Sequence, residues 1–202
     1  MRWRRGARRA NDPEPPAEHL HERLVAAIVG TLGPTLRRLA GEHLYAVALT
    51  TDDDVMTVDL LAHTEEALAR LTGGAVDEDG TDGEAAAYLR WWPDEWGASS
   101  DDVAPDDGAE TLVTLSRALA DAGDAAPDHD RWRTRGRDLL DAALGDERVR
   151  AALAAHRPVS APVLFVTTTD GDLARTVASL DALNPDHPRP ALVAAARAYL
   201  SS

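Results

Sequence analysis

Apolar residues recur at spacings of three and four from Glu18 to Leu39 (Leu20, Leu24, Ala27, Ile28, Leu32, Leu36, Leu39), which predicts a first amphipathic helix. Gly33-Pro34 falls inside it. Proline removes a donor and crowds the preceding turn, so a break or two shorter helices are expected there. The pattern then turns β-like. Leu44 to Leu49 and Val55 to Leu61 are two β-rich runs separated by the polar cluster Thr50-Thr51-Asp52-Asp53-Asp54, which reads as a hairpin.

Thr64 before Glu65 and Glu66 has the form of a helix N-cap with carboxylates in the first turn, and Gly73-Gly74 ends that helix after about Leu71. Residues 75–84 read as an acidic, glycine-containing loop. The run from Ala86 to Trp92, closed by Pro93, is expected to be a third strand, followed by a second polar loop over 97–107. Helices follow from about Ala109 to Ala122, from Arg131 to Leu144, and from an Asp146 cap to about His156. Val163 to Thr169 is apolar on both faces at its start and is placed centrally in the sheet. Asp170 or Asp172 caps a helix through Leu173, Val177, Leu180 and Leu183, and Ala191 to Leu200 forms the last one. The expected fold class is therefore α/β, or α+β: a small mixed sheet of about four strands flanked by helices, in one domain over 17–202. Residues 1–16 read as a basic, proline-rich leader, expected to be disordered.

Composition narrows the chemistry. The 202 residues contain no cysteine, which excludes disulfide scaffolds, thiolate catalysis and cysteine-bound metal. The formal net charge is −14, and the basic residues are all arginine. Five of them stand in the first ten positions, so the remaining chain is more acidic still. Such a surface repels phosphate backbones, which makes direct nucleic-acid binding by the domain unfavourable. It suits a basic protein partner. No apolar run is long enough for a membrane span and no secretory signal pattern is present, so a cytoplasmic location is expected.

Three of the five tryptophans lie in Tyr88-Leu89-Arg90-Trp91-Trp92-Pro93-Asp94-Glu95-Trp96, in a chain whose aromatic content is 4%. On a strand Trp91 and Trp92 would face opposite sides. Because Trp and Arg dominate interaction hot spots, Arg90, Trp92, Asp94, Glu95 and Trp96 form a candidate recognition patch. The competing reading has Trp91 and Trp96 filling a core otherwise built from small side chains.

The acidic residues allow a second site. Asp52 to Asp54 could hold a divalent cation, but no calcium-loop spacing follows, and Asp is common in turns because it bonds its own backbone. Asp170-Gly171-Asp172 sits where open α/β sheets bind ligands, although helix capping is a sufficient role. His19 and His21 fall on different helical faces. His43 and His63 flank the open end of the hairpin and could approach each other, so Asp52, Asp54, His63, Glu65 and Asp170 make an alternative polar site. Arg131, Arg133, Arg135 and Arg137 form a basic stripe expected to answer Asp124, Asp128 and Asp130. No catalytic residue, metal ligand or cofactor is assigned. Neither a phosphate loop, a dinucleotide fingerprint nor a nucleophile elbow is present.

Taken in order, Leu44 to Asp54, then His63-Thr64-Glu65-Glu66, then Tyr88 to Trp91 with Pro93 to Trp96, resemble a bacterial domain-of-unknown-function family, number 4303. Val163 to Val166 followed by Asp170, and Leu183-Asn184-Pro185, are similar to its C-terminal part. The resemblance spans about 17–190. It implies one domain with a mixed sheet but assigns no catalytic residue, and His63 stands where members often have Asn. The leading functional expectation is a cytoplasmic protein-binding or regulatory module of immunity type. A small enzyme, or a metal- or ligand-binding protein, is the alternative.

Overall fold

The computed structural model describes residues 17–73, 84–99, 111–156, 161–169 and 171–202. Helix α1 (Ala17–Arg38) runs unbroken through Pro34, against expectation. Gly33 explains part of this: the residue before proline normally resists helical angles because its Cβ meets the proline ring, and glycine has none. Packing supplies the rest. Leu32, Leu36 and Leu39 are buried around Pro34, each contributing about 1.5–3 kcal/mol, enough to exceed the roughly 3 kcal/mol cost of an internal proline.

Strands β1 (Leu44–Thr51) and β2 (Val58–Thr64) form the expected antiparallel hairpin, although β2 begins three residues later than the apolar run suggests and extends to Thr64. Asp52 accounts for the shift. Its carboxylate accepts from the backbone N–H of Met56 (3.0 Å) and Thr57 (2.8 Å) and from the Thr57 hydroxyl (2.6 Å), holding Val55 to Thr57 in the turn. Val55 pays conformationally, with φ at 56°, but its side chain is fully buried.

Thr64 caps α2 (Glu65–Thr72) by accepting from Ala67 N–H, and Gly73 closes it at φ 66°, both as read from sequence. The expected third strand is instead helix α3 (Glu84–Trp91). Ala85, Ala86 and Ala87 favour a helix, while the residues that suggested a strand are sorted by helical spacing: Arg90 and Trp91 are buried, Tyr88 is exposed, and Trp92 is half-buried against it. A 3₁₀ turn at Pro93–Glu95 leads to the real third strand, the two-residue β3 (Ala98–Ser99). Then come α4 (Leu112–Ala125), α5 (His129–Leu144) and α6 (Glu147–Ala154), with N-caps Thr111, Asp128 and Asp146. Strand β4 (Val163–Thr168), α7 (Leu173–Leu183) and α8 (Pro190–Leu200) complete the order. Asp172 caps α7, whereas Asp170 lies outside the described residues, as do the expected leader, most of the acidic loop at 75–84 and 100–107.

The four strands form one mixed sheet in the order β3-β2-β1-β4, with β4 parallel to β1. β4 is thus an edge strand, not the central one. Its apolar residues report that helices cover both faces. α1, α4, α5 and α6 pack on one side with Val47, Leu49, Leu60 and Val166, while α2, α3, α7 and α8 pack on the other with Ala48, Leu61, Val163 and Phe165. The exposed edge is sealed by side chains. Asn184 accepts from Leu164 N–H (3.0 Å) and donates to Leu164 C=O (2.6 Å), and the Ser179 hydroxyl accepts from Val166 N–H (2.8 Å).

Candidate functional site

A bulge in β1 creates the site. Leu44 opposes Thr64 and Ala46 opposes His63, leaving Tyr45 as the extra residue. Tyr45 and Ala46, neighbours in the chain, therefore both enter the second hydrophobic cluster instead of alternating between faces. Tyr45 thereby reaches His63, with its hydroxyl 2.7 Å from Nδ1, and donates to the carbonyl of Arg90 at 3.0 Å.

Around this contact the side chains are almost wholly buried. His63 is 1% exposed and stacks on Trp96 at 5.4 Å between centroids. Trp91 meets Tyr45 edge-on at 5.7 Å, Trp96 meets Phe165 edge-on at 5.9 Å, and the Arg90 guanidinium lies 5.0 Å above the Tyr45 ring. Arg90, 1% exposed, carries its charge to the half-buried Glu65 (3.2 Å), which also faces Arg189 at 3.7 Å. A buried charge needs such a partner. Burial, aided by the positive charges of Arg90 and Arg70, pushes the His63 imidazole down to about 4, so it is neutral at pH 7. With the Tyr45 proton on the Arg90 carbonyl, Nδ1 of His63 is the donor to Tyr45, and Nε2 is left as a buried acceptor without a partner among the described residues.

The outer side of the same segment is different. Tyr88 and Trp92, one helical turn apart, stack at 6.2 Å with 16° between their planes. Tyr88 is 38% exposed and donates to Glu95 at 2.8 Å, a bond that raises the phenol's pKa and keeps it protonated. Asp94 and Glu95 are exposed beside the pair.

The sequence-selected residues are thus regrouped. Arg90 and Trp96 are interior, so they support the patch formed by Trp92, Asp94 and Glu95 and do not belong to its surface. His63 and Glu65 join Arg90 and Trp96 in the buried cluster. Asp52 and Asp54 stand at the other end of the hairpin, five strand residues or about 17 Å away, so the alternative polar site does not assemble. His43 does not join His63: it is exposed and bonds Glu66 through its backbone N–H (2.7 Å) and ring (2.6 Å). The arginine stripe answers Asp130 through Arg133, as expected, but its other partners are distant in sequence: Arg133 and Arg137 bind Asp53 at 2.9 and 2.5 Å, and Arg137 binds Asp172 at 3.1 Å. Sequence reading passed over Tyr45 as a site residue. Its one signal was an isolated Tyr in a strand of small aliphatic residues. Among the described residues, no group of three or more His, Asp or Glu could hold a metal ion, and no helix is long and apolar enough to cross a membrane.

The fold and this cluster define a three-layer α/β domain with a four-stranded mixed sheet and a buried Tyr–His–Arg–Trp assembly beside the exposed Tyr88 and the half-buried Trp92. The chain belongs to the family described as Domain of unknown function (DUF4303), whose model matches residues 24–185. No curated protein and no solved structure matches it significantly.

Proposed function

We propose that this chain is a protein-binding module, regulatory or immunity-type in character and cytoplasmic, that engages a basic partner through the outer face of α3 and the turn after it. The observation that carries this reading is the exposed Tyr88 ring stacked on the half-buried Trp92, with the exposed carboxylates of Asp94 and Glu95 close by in the chain. Aromatic side chains of this kind supply large contact area at low entropic cost, and acidic neighbours select and steer a basic surface. The buried cluster supports it from below: Arg90, Trp91 and Trp96 fix the segment against Tyr45, His63 and Phe165, so the outer pair is preorganised. The net charge of −14 supports the same partner class.

The test is a photo-crosslinking residue in place of Gly97, which is exposed next to the patch with open space around it, in the full chain in its native host, followed by calorimetry with the purified crosslinked protein. A basic partner is expected whose affinity falls at least tenfold with Trp92→Ala and falls with added salt. Absence of any specific crosslink, or a partner indifferent to Trp92→Ala and to salt, overturns the reading.

A further inference from the structure

Tyr88 is held in one orientation by two contacts. Trp92, one turn later in α3, stacks on its ring with 16° between the planes, and its hydroxyl donates to Oε1 of Glu95 at 2.8 Å. Tyr88 makes no other ring contact among the described residues, yet it is exposed. Trp92 covers one side of the ring, so the exposed area lies on the other side and along the edges. A flat group laid there meets a surface that loses little freedom on contact.

The carboxylates beside the ring are unanswered. Glu95 spends one oxygen on the Tyr88 hydroxyl, and Asp94 is close enough for its charge to act on the same phenol. Among the described residues, neither pairs with an arginine or a histidine. Their neighbour Arg90 is buried and turned to Glu65. On this same side of the sheet other carboxylates are matched, Glu65 by Arg90 and Arg189 and Asp181 by Arg197. An exposed ring with two unpaired carboxylates at its rim suits a cation that has a flat face. A guanidinium is planar and weakly hydrated, and its donors lie in its plane, so it can stack on a ring while bonding a carboxylate beside that ring. An ammonium is a strongly hydrated point charge with no face to stack.

We propose that the basic partner is anchored here by an arginine, whose guanidinium stacks on the open side of Tyr88 and donates to the carboxylates of Glu95 and Asp94. A lysine in its place keeps the charge attraction and loses the stacking. The surface therefore reads the shape of the cation as well as its charge. Arginine is among the side chains most enriched at the centres of interfaces, which fits a single anchor of this kind. The inference rests on the protein-binding reading and narrows it, from a partner of general basicity to one that presents an exposed arginine.

The test titrates the full chain with blocked single residues at fixed ionic strength, followed by NMR. Kd is taken from the Trp92 indole N–H and the backbone amides of Tyr88, Asp94 and Glu95. N-acetyl-arginine amide is the probe, N-acetyl-lysine amide matches its charge, and N-acetyl-citrulline amide matches its planar head without the charge. Arginine is expected to shift these signals saturably, with a Kd lower than that of lysine by about threefold or more, and citrulline is expected not to saturate. Tyr88→Leu should bring the arginine Kd up to the lysine value, whereas Tyr88→Phe keeps the ring and should keep the preference. Asp94→Asn combined with Glu95→Gln should weaken both cations. The inference is overturned if arginine and lysine bind equally, if citrulline binds as arginine does, if arginine fails to saturate, or if Tyr88→Leu leaves the preference intact. The two readings fail separately. A partner crosslinked at position 97 and weakened by Trp92→Ala, alongside equal binding of arginine and lysine, removes the arginine anchor and leaves the binding module. Arginine-selective binding that Tyr88→Leu abolishes, with no partner captured, leaves a guanidinium site and removes the module.

Discussion

The hydroxyl of Tyr45 stands 2.7 Å from Nδ1 of His63 while donating to the carbonyl of Arg90. One phenol therefore ties β1, β2 and the last turn of α3 together. Neither strand pairing nor the hydrophobic pattern alone would bring α3 to this position.

Replacing Tyr45 with Phe should remove both bonds while preserving the ring's contacts with Trp91 and Arg90. Two buried polar groups lose their partner, so a destabilisation of about 1–3 kcal/mol is expected in urea unfolding. A smaller change than 0.5 kcal/mol, on the order of a surface substitution, would show that the hydroxyl is not what holds α3 in place.

His63 should make the fold acid-sensitive. Its folded pKa of about 4 lies below the unfolded value near 6.5. Between these values the unfolded chain binds more protons, so stability falls as pH drops from 6.5 towards 4, by about 3 kcal/mol in total. Many carboxylates also titrate at the lower end, so the readout is a difference. The pH dependence of unfolding free energy between 6.5 and 5 should be shallower in His63→Gln than in the natural protein. Parallel curves would place a charged or exposed imidazole at this position.

Val55 and Gly136 should be energetically coupled. A Cβ built on Gly136 would lie 2.9 Å from Cγ1 of Val55, whose buried backbone sits at φ 56° and has little freedom to move. Gly136→Ala should cost about 1–3 kcal/mol by overpacking. Adding Val55→Ala opens space, so the double variant should be more stable than the sum of the two single changes predicts, by about 1 kcal/mol in a double-mutant cycle. Strict additivity would mean the two positions do not press on each other.

Asn184 should protect the sheet edge. Its amide serves Leu164 N–H, Leu164 C=O and Leu180 C=O. Asn184→Ala leaves an edge strand with unpaired backbone groups, which is a template for association. A loss of about 2–3 kcal/mol is expected, together with concentration-dependent aggregation visible by light scattering on warming. Unchanged scattering together with unchanged stability would show that water replaces the amide at no cost.

Much of the local structure was legible because short-range chemistry governs it. Thr64, Asp146 and Asp172 cap helices through bonds to backbone within three residues, and Asp52 shapes a turn by the same means. Periodicity located α1, the hairpin and α7. It failed where local preference and tertiary burial point in different directions. Tyr88-Leu89-Arg90-Trp91-Trp92 has strand-like composition, yet only a helix buries Arg90 beside Glu65 and Trp91 beside Tyr45 while leaving Tyr88 on Trp92. Pro34 reads as a breaker until the leucines on either side of it are packed.

The sequence by itself determined an acidic, cysteine-free α/β chain with a hairpin, its capped helices and an unusual concentration of aromatics at 88–96. Only the tertiary structure decided that β4 is an edge strand, that Arg90 and Trp96 are interior while Trp92 is not, and that His63 and Tyr45 meet across a bulge. The physical reason is distance along the chain. Caps and turns are settled by neighbours a few residues away, whereas Tyr45 and Arg90 are 45 residues apart. Their contact depends on strand register, on one inserted residue in β1 and on which helix face closes over the sheet, and none of these leaves a periodic mark in the sequence.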